Sequence, residues 1–210
     1  MRLAILLALV LSARAGADGP TLPAHVAPLF EKGRVWVYDT AITYWGPDDP
    51  KTGKQTRKTD REKVTCKVDA IATRAGATVS HVTCDKAIYK LHVAGFYAGT
   101  PAGLWRVGFD EVPADDDLVA ALAEPPLIAA APKTFEKVTK AGGPDPKHDT
   151  LIEGLRTSPK TGGWCLYGDS SKADVDGGRI VQCFAPGVGI ESGYNDVGGE
   201  LNKFEYTVRR

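Results

Sequence analysis

The sequence predicts an all-β fold: one antiparallel meander of hairpins with one short helix and two cross-strand disulfides. Three observations predict it. The four cysteines fall in two pairs of equal spacing, Cys66 with Cys84 and Cys165 with Cys183. Glycine (23) and proline (14) are plentiful while methionine occurs once, which suits many turns better than a helical bundle. Runs rich in β-branched and aromatic residues recur along the chain between turn clusters. Closure as a barrel, a half-barrel or a sandwich is left open by these signals.

The N-terminus sets the compartment. MRLAILLALVLSARAGADGP has a basic residue (Arg2), an apolar run from Leu3 to Leu11 and then small residues, the order of a secretory signal. Ala13-Arg14-Ala15 and Ala15-Gly16-Ala17 are small-x-small cleavage sites, so residues 1–17 are read as a signal peptide and 18–210 as a single β-rich domain. The apolar run is far short of the roughly 20 residues that span a bilayer. The expected location is periplasmic or extracellular, with no transmembrane segment in the mature chain. The chain has 26 Lys and Arg against 26 Asp and Glu. Without Arg2 and Arg14 the balance is 24 to 26, a net charge of −2, and nothing suggests nucleic acid as a partner.

In an exported chain, a small even number of cysteines favours disulfides over zinc, and C-x17-C is unlike the close pairs of zinc sites. With Cys66 opposite Cys84, the chain folds back about Ala75, within Thr73-Arg74-Ala75-Gly76-Ala77, where Gly76 can supply a positive φ. The same operation on Cys165 and Cys183 centres on Asp174, in a run of serines, aspartates and glycines with turn chemistry. Both pairs read as staples of β-hairpins.

Further strands are expected in order. Gly33–Tyr38 continues to Trp45 and stops at Gly46-Pro47-Asp48-Asp49-Pro50, followed by a charged loop over Lys51–Lys63. Ile88–Val93 alternates, as do Leu104–Val107 and Lys203–Val208. Asp115-Asp116-Asp117 is placed to cap a helix over Leu118–Ala123 that Pro125-Pro126 ends. Ala131–Lys160 reads as loop with short strands. Trp36, Trp45, Trp105 and Trp164 are expected in the core.

Three stretches carry a resemblance. Pro28-Leu29-x-x-x-Gly33-x-x-Trp36-x-Tyr38 resembles the "P-L-x-x-G-x-x-W-x-Y" opening strand of a group of uncharacterised exported bacterial proteins. Gly103-Leu104-Trp105-Arg106-Val107 resembles their central strand, and Ala185-Pro186-Gly187-Val188-Gly189-Ile190 their late "A-P-G-V-G" turn. The resemblance implies a curved antiparallel sheet in a secreted or envelope protein and implies no activity.

Motifs for chemistry are few. Asp174-Val175-Asp176-Gly177 echoes a calcium loop, but Lys172 and Cys183 fall where its first and last carboxylates belong. Gly189-Ile190-Glu191-Ser192-Gly193 sets a serine at the wrong step for a nucleophile elbow. His25, His81, His92 and His148 show no ligand spacing, although His81 and His92 can meet across strands. Lys51, Lys54, Arg57, Lys58, Arg61 and Lys63 read as a solvated basic hairpin tip, or as a contact for anionic envelope polymer. No metal or cofactor is expected.

The function these readings favour is non-catalytic binding by an exported protein, with a hydrolase whose active site is unrecognised as the alternative. With little helix to cover a sheet, the strands must curl or pair to bury Trp36, Tyr38, Trp105, Phe204 and Tyr206. Those rings either line a cleft for an apolar small molecule or pack solid beneath a surface that docks a protein or envelope partner.

Overall fold

A computed structural model describes residues 22–86, 93–109, 111–140, 150–172, 178–197 and 202–209. Its core is one antiparallel sheet of twelve strands. The N-terminal half supplies β1 (Val35–Asp48), β2 (Gln55–Arg74), β3 (Ala77–Cys84), β4 (Gly95–Thr100), β5 (Gly103–Gly108) and β6 (Ile128–Ala129). The C-terminal half supplies β7 (Phe135–Lys140), β8 (Thr150–Thr157), β9 (Trp164–Lys172), β10 (Arg179–Ala185), β11 (Gly189–Val197) and β12 (Asn202–Val208). Each half is a meander of sequential neighbours, and the two halves join where β1 pairs with β12 in mid-sheet, Tyr38 opposite Val208 and Tyr44 opposite Asn202. The outermost strands, β6 and β7, do not pair with each other, so the sheet is open.

Alternation along the strands sorts side chains to two faces. One face carries Trp36, Tyr38, Val64, Cys66, Val82, Tyr97, Leu104, Phe184, Phe204 and Tyr206, which share one buried cluster. Leu104 and Phe184 lie on β5 and β10, near opposite ends of the strand order, so their presence in one cluster shows that the sheet curls upon this face as a half-barrel. A short 3-10 segment, Ala27–Phe30, lies inside the curl, touching β2, β3 and β11 and burying Leu29 with Val26. On the opposite face, α1 (Asp115–Ala123) covers β3–β5, with Leu118 packed among Val79, Phe96, Ala98 and Trp105.

Both predicted staples are formed. Cys66 faces Cys84 across β2 and β3, and Cys165 faces Cys183 across β9 and β10, each at a Cα separation of 4.0 Å. Hydrogen bonds from Asp85 N to Thr65 O, beside the first staple, and from Ser170 N to Gly178 O, farther along the ladder of the second, mark hydrogen-bonded pairs. By alternation the cysteines then occupy the close, non-hydrogen-bonded pairs, where side chains approach most nearly. The first hairpin turns at Ala75 (φ 46°) and Gly76 (φ 77°), two positive φ values that define a type I′ turn. Cys66 and Cys84 alone place one residue, Ala75, at the midpoint, whereas a two-residue turn has none. A bulge at Asp69, between the paired Val68 and Ala70, absorbs the difference. The tip of the second hairpin, with Asp174, lies outside the described residues.

Several expectations are corrected. The charged segment from Gln55 to Lys63 is not loop but the first half of β2, paired with β1 from Lys63 opposite Asp39 to Arg57 opposite Trp45. Its basic character hid a strand that stands in solvent on both faces. Trp45 is only partly buried, with the Arg57 guanidinium 3.6 Å over its ring, and Trp164 is also only partly buried. Asp115–Asp117 form the first turn of α1 rather than a cap before it. Ala114 is the N-cap residue, and the three carboxylates complement the helix dipole from inside. Within Ala131–Lys160, read as loop with short strands, the strands are β7 and β8, whose bounds the sequence does not mark because all six residues of β7 are exposed. Strand β4, Gly-Phe-Tyr-Ala-Gly-Thr, was hidden by its glycines. At Gly99 a Cβ would come within 2.7 Å of the Phe30 ring, so the residue is small to seat the 3-10 segment. Of Ile88–Val93, only the buried Val93 lies within the described residues.

The buried tyrosines give the fold an alkaline limit. Burial pushes the Tyr97 phenol up to about 12 and raises those of Tyr38 and Tyr206 as well. Unfolded, each would ionise near 10. The folded state therefore holds more protons above that pH, and stability should be intact below about pH 10 and fall as pH rises through about 12. Phenolate absorbance for these rings should appear with unfolding, followed by circular dichroism, and not before it. At the first turn, Ala75→Asn should raise stability by about 0.5–1 kcal/mol in urea denaturation, because asparagine accepts the left-handed conformation that alanine resists.

Candidate functional site

The first and last of the resembling stretches meet in space. The Trp36 indole donates from Nε1 to the Val188 carbonyl at 2.6 Å, and the Tyr38 hydroxyl donates to the Ile190 carbonyl at 2.8 Å. Arg34 donates from Nη2 to the Gly187 carbonyl at 2.8 Å, and Gly187 N donates to Ala24 O. A Cβ on Gly189 would touch Pro28 and Trp36. The opening strand thus holds the late turn by its side chains, and the work of these residues is architectural.

The five rings singled out in sequence do not share one cleft. Trp36, Tyr38, Phe204 and Tyr206 belong to the solid inner cluster, Tyr38 and Tyr206 meeting edge to face at 5.6 Å. Trp105 lies on the other face beneath α1, its indole donating to the Glu124 carbonyl at 2.8 Å.

An open cleft exists elsewhere on the inner face. The 3-10 segment fills the end of the half-barrel beside Gly99 and Gly189. Toward the other end, a cleft of about 360 Å³ is lined by Arg106, Phe109 and Leu127 from one arm of the curl and by Leu166, Gly168, Ile180 and Gln182 from the other, with Glu153 and Tyr167 beside them. Strand register builds its second wall: Gln182 is opposite Leu166, and Ile180 is opposite Gly168. Phe109 and Ile180 are exposed apolar residues, 60% and 38% accessible, and both stand in this one lining. Arg106 is seated by a 2.5 Å hydrogen bond from Nη2 to the Ala94 carbonyl, with its guanidinium 4.1 Å over the Phe109 ring. Gln182 donates from Nε2 to the Tyr206 hydroxyl at 3.4 Å.

Cross-strand glycines make room for rings beside this wall. A Cβ at Gly193 would fall 2.2 Å from the Tyr206 ring, which crosses β11 to reach Gln182 on β10. On the outer face, Tyr167 lies over Gly154 in the same way and donates its hydroxyl to Glu136 on β7 at 2.8 Å. Gly168 differs from both. Its backbone is ordinary extended strand, and no atom lies within 4 Å of a Cβ built there. Its missing side chain is part of the cleft.

The outer face holds two larger clefts with charged rims, of about 950 Å³ and 600 Å³, which share Cys183, Ser192 and Thr207 on their floor. Register explains the floor, since Ser192 is opposite both Thr207 and Cys183. Lys63, Arg61, Lys86, Arg156 and Lys160 alternate around it with Asp39, Glu62, Glu191 and Glu205. Ser192 follows a bulge at Glu191, and no histidine stands among the described residues lining either cleft.

His81 stacks on Phe96 at 4.2 Å with parallel rings, and His25 is buried near the 3-10 segment. His92, His148 and the Asp174 loop lie outside the described residues. Among the described residues no group of three or more His, Cys, Asp or Glu is placed to hold a metal ion. No helix among them is long and apolar enough to cross a membrane. Comparison of the chain with protein-family models, with curated proteins and with solved structures gives no match.

The two disulfides differ in setting. Each pairs a buried cysteine with a partly buried one, but Cys66–Cys84 faces the inner cluster, whereas the partly buried Cys183 of the other disulfide lines both outer clefts. Thiol exchange needs access to a sulfur. A mild reductant acting on the folded protein should therefore open Cys165–Cys183 first, leaving Cys66–Cys84 closed until global unfolding. Alkylation of trapped thiols and peptide mapping will show the order.

Proposed function

We propose that the protein is an exported, non-catalytic binding protein that takes an apolar small molecule in the inner cleft. One observation carries the reading: two arms of a curled sheet enclose a space of about 360 Å³ with Leu127, Leu166, Ile180 and Phe109 in its lining. That size and character are those of small-molecule sites, apolar walls with few polar groups. Exposed apolar side chains gathered at one opening mark a contact surface rather than ordinary exterior. Export is supported by the signal-like N-terminus and by two disulfides, which persist in oxidising compartments. A second reading, docking of a protein or envelope partner, is favoured by the paired clefts on the outer face, whose mixed charges suit a polar surface.

Gly168 supplies the test. Phenylalanine there meets no atom within 4 Å at its Cβ and sits in a strand, where it is preferred over glycine. Gly168→Phe should therefore keep or raise the melting temperature while filling the cleft. Fluorescence titration with an acyl probe such as cis-parinaric acid should show saturable binding to the natural sequence and at least a tenfold loss in the variant. Absence of binding to the natural sequence ends the apolar-ligand reading and leaves the outer surface.

A further inference from the structure

We propose that the ligand of the inner cleft is a single-chain amphiphile with a carboxylate head, the head facing Arg106 and the chain lying along Leu127, Leu166 and Ile180. This rests on the apolar-ligand reading of the cleft and adds the class of ligand. Arg106 is the one cation among the described lining residues, and Glu153, on the exposed part of β8, is the one carboxylate. The guanidinium is held in place by the Ala94 carbonyl and by the rings of Phe109 and Tyr97, at 4.1 and 5.7 Å. A fixed positive charge between apolar walls acts through a lower dielectric than water and attracts an anion more strongly than an exposed lysine does.

The cleft discriminates against other heads. A cationic head would meet Arg106, and the Phe109 ring that could receive it is already covered by that guanidinium. The Glu153 carboxylate turns an anionic head away from its own side and toward Arg106. For the chain, the gap over Gly168 and the exposed Ile180 beside it give an apolar path on the wall opposite Arg106.

The experiment is calorimetric titration of the mature protein, disulfides intact, with three probes of one chain length: laurate, lauryl alcohol and dodecyltrimethylammonium. The expected result is that laurate binds about tenfold or more tightly than the alcohol, the increment of a charge-assisted hydrogen bond, and that the ammonium binds no better than the alcohol. Arg106→Gln should bring laurate to the level of the alcohol measured on the same variant. Equal affinities for the three probes in the natural sequence overturn the carboxylate inference and leave the apolar cleft standing. No binding of any probe, or laurate binding that survives Gly168→Phe, overturns the cleft reading with it. Should Arg106→Gln fail to fold, judged by circular dichroism, the ratio of laurate to alcohol in the natural sequence decides alone.

Discussion

The side chains of β1 bind the backbone of a turn that lies more than 150 residues away in sequence, and the rest of the molecule is arranged around that contact. Arg34, Trp36 and Tyr38 donate to the carbonyls of Gly187, Val188 and Ile190. The Tyr38 bond is buried, that of Trp36 partly so and that of Arg34 exposed, and a buried acceptor left unmade costs about 1–3 kcal/mol. The same contact traps the 3-10 segment between Gly189, Trp36 and the strands behind it. Because Trp36 and Tyr38 lie at mid-sheet, fixing the turn to them fixes how tightly β10 and β11 curl over β1.

That curl decides where the interior is solid and where it opens. Large rings and the 3-10 segment crowd one end, from Trp36 to Phe184. Toward the other end the inner positions of β9 and β10 are Leu166, Gly168, Ile180 and Gln182, too small together to meet Arg106 and Leu127 on the facing arm. A solid core and a cleft, posed as alternatives by the sequence, occupy different lengths of one inner surface.

How much of this was legible follows from the range of each signal. The hairpin staples were readable because cysteine spacing and turn residues lie within eighteen positions of each other. The bulge at Asp69 was not, since pairing register is set by both strands at once. Strand β2 looked like loop because a hairpin projecting beyond its neighbours buries neither face, and so carries no alternation. The cleft was the least legible feature. Arg106 and Ile180 are 74 positions apart by their numbers and meet only after the sheet has curled. Gly168 carries no sequence signal of its own, because its role is to leave space. The five aromatic residues marked the core, four on one face and Trp105 on the other, because ring burial is decided locally by alternation.

The pairing of β1 with β12 has a consequence for how such a chain can be made. Every other strand finds its partner in its immediate neighbour in the sequence, but β1 waits for the last strand synthesised. Until then Val35–Trp45, a run of β-branched and aromatic residues, presents an open edge in the middle of the future sheet. Closing it requires the longest-range contact in the topology, and long-range pairing is the slow part of folding. An emerging chain therefore passes through a half-sheet with an adhesive border, which makes this border the natural target for a chaperone during folding and the natural seam for aggregation if β12 is removed.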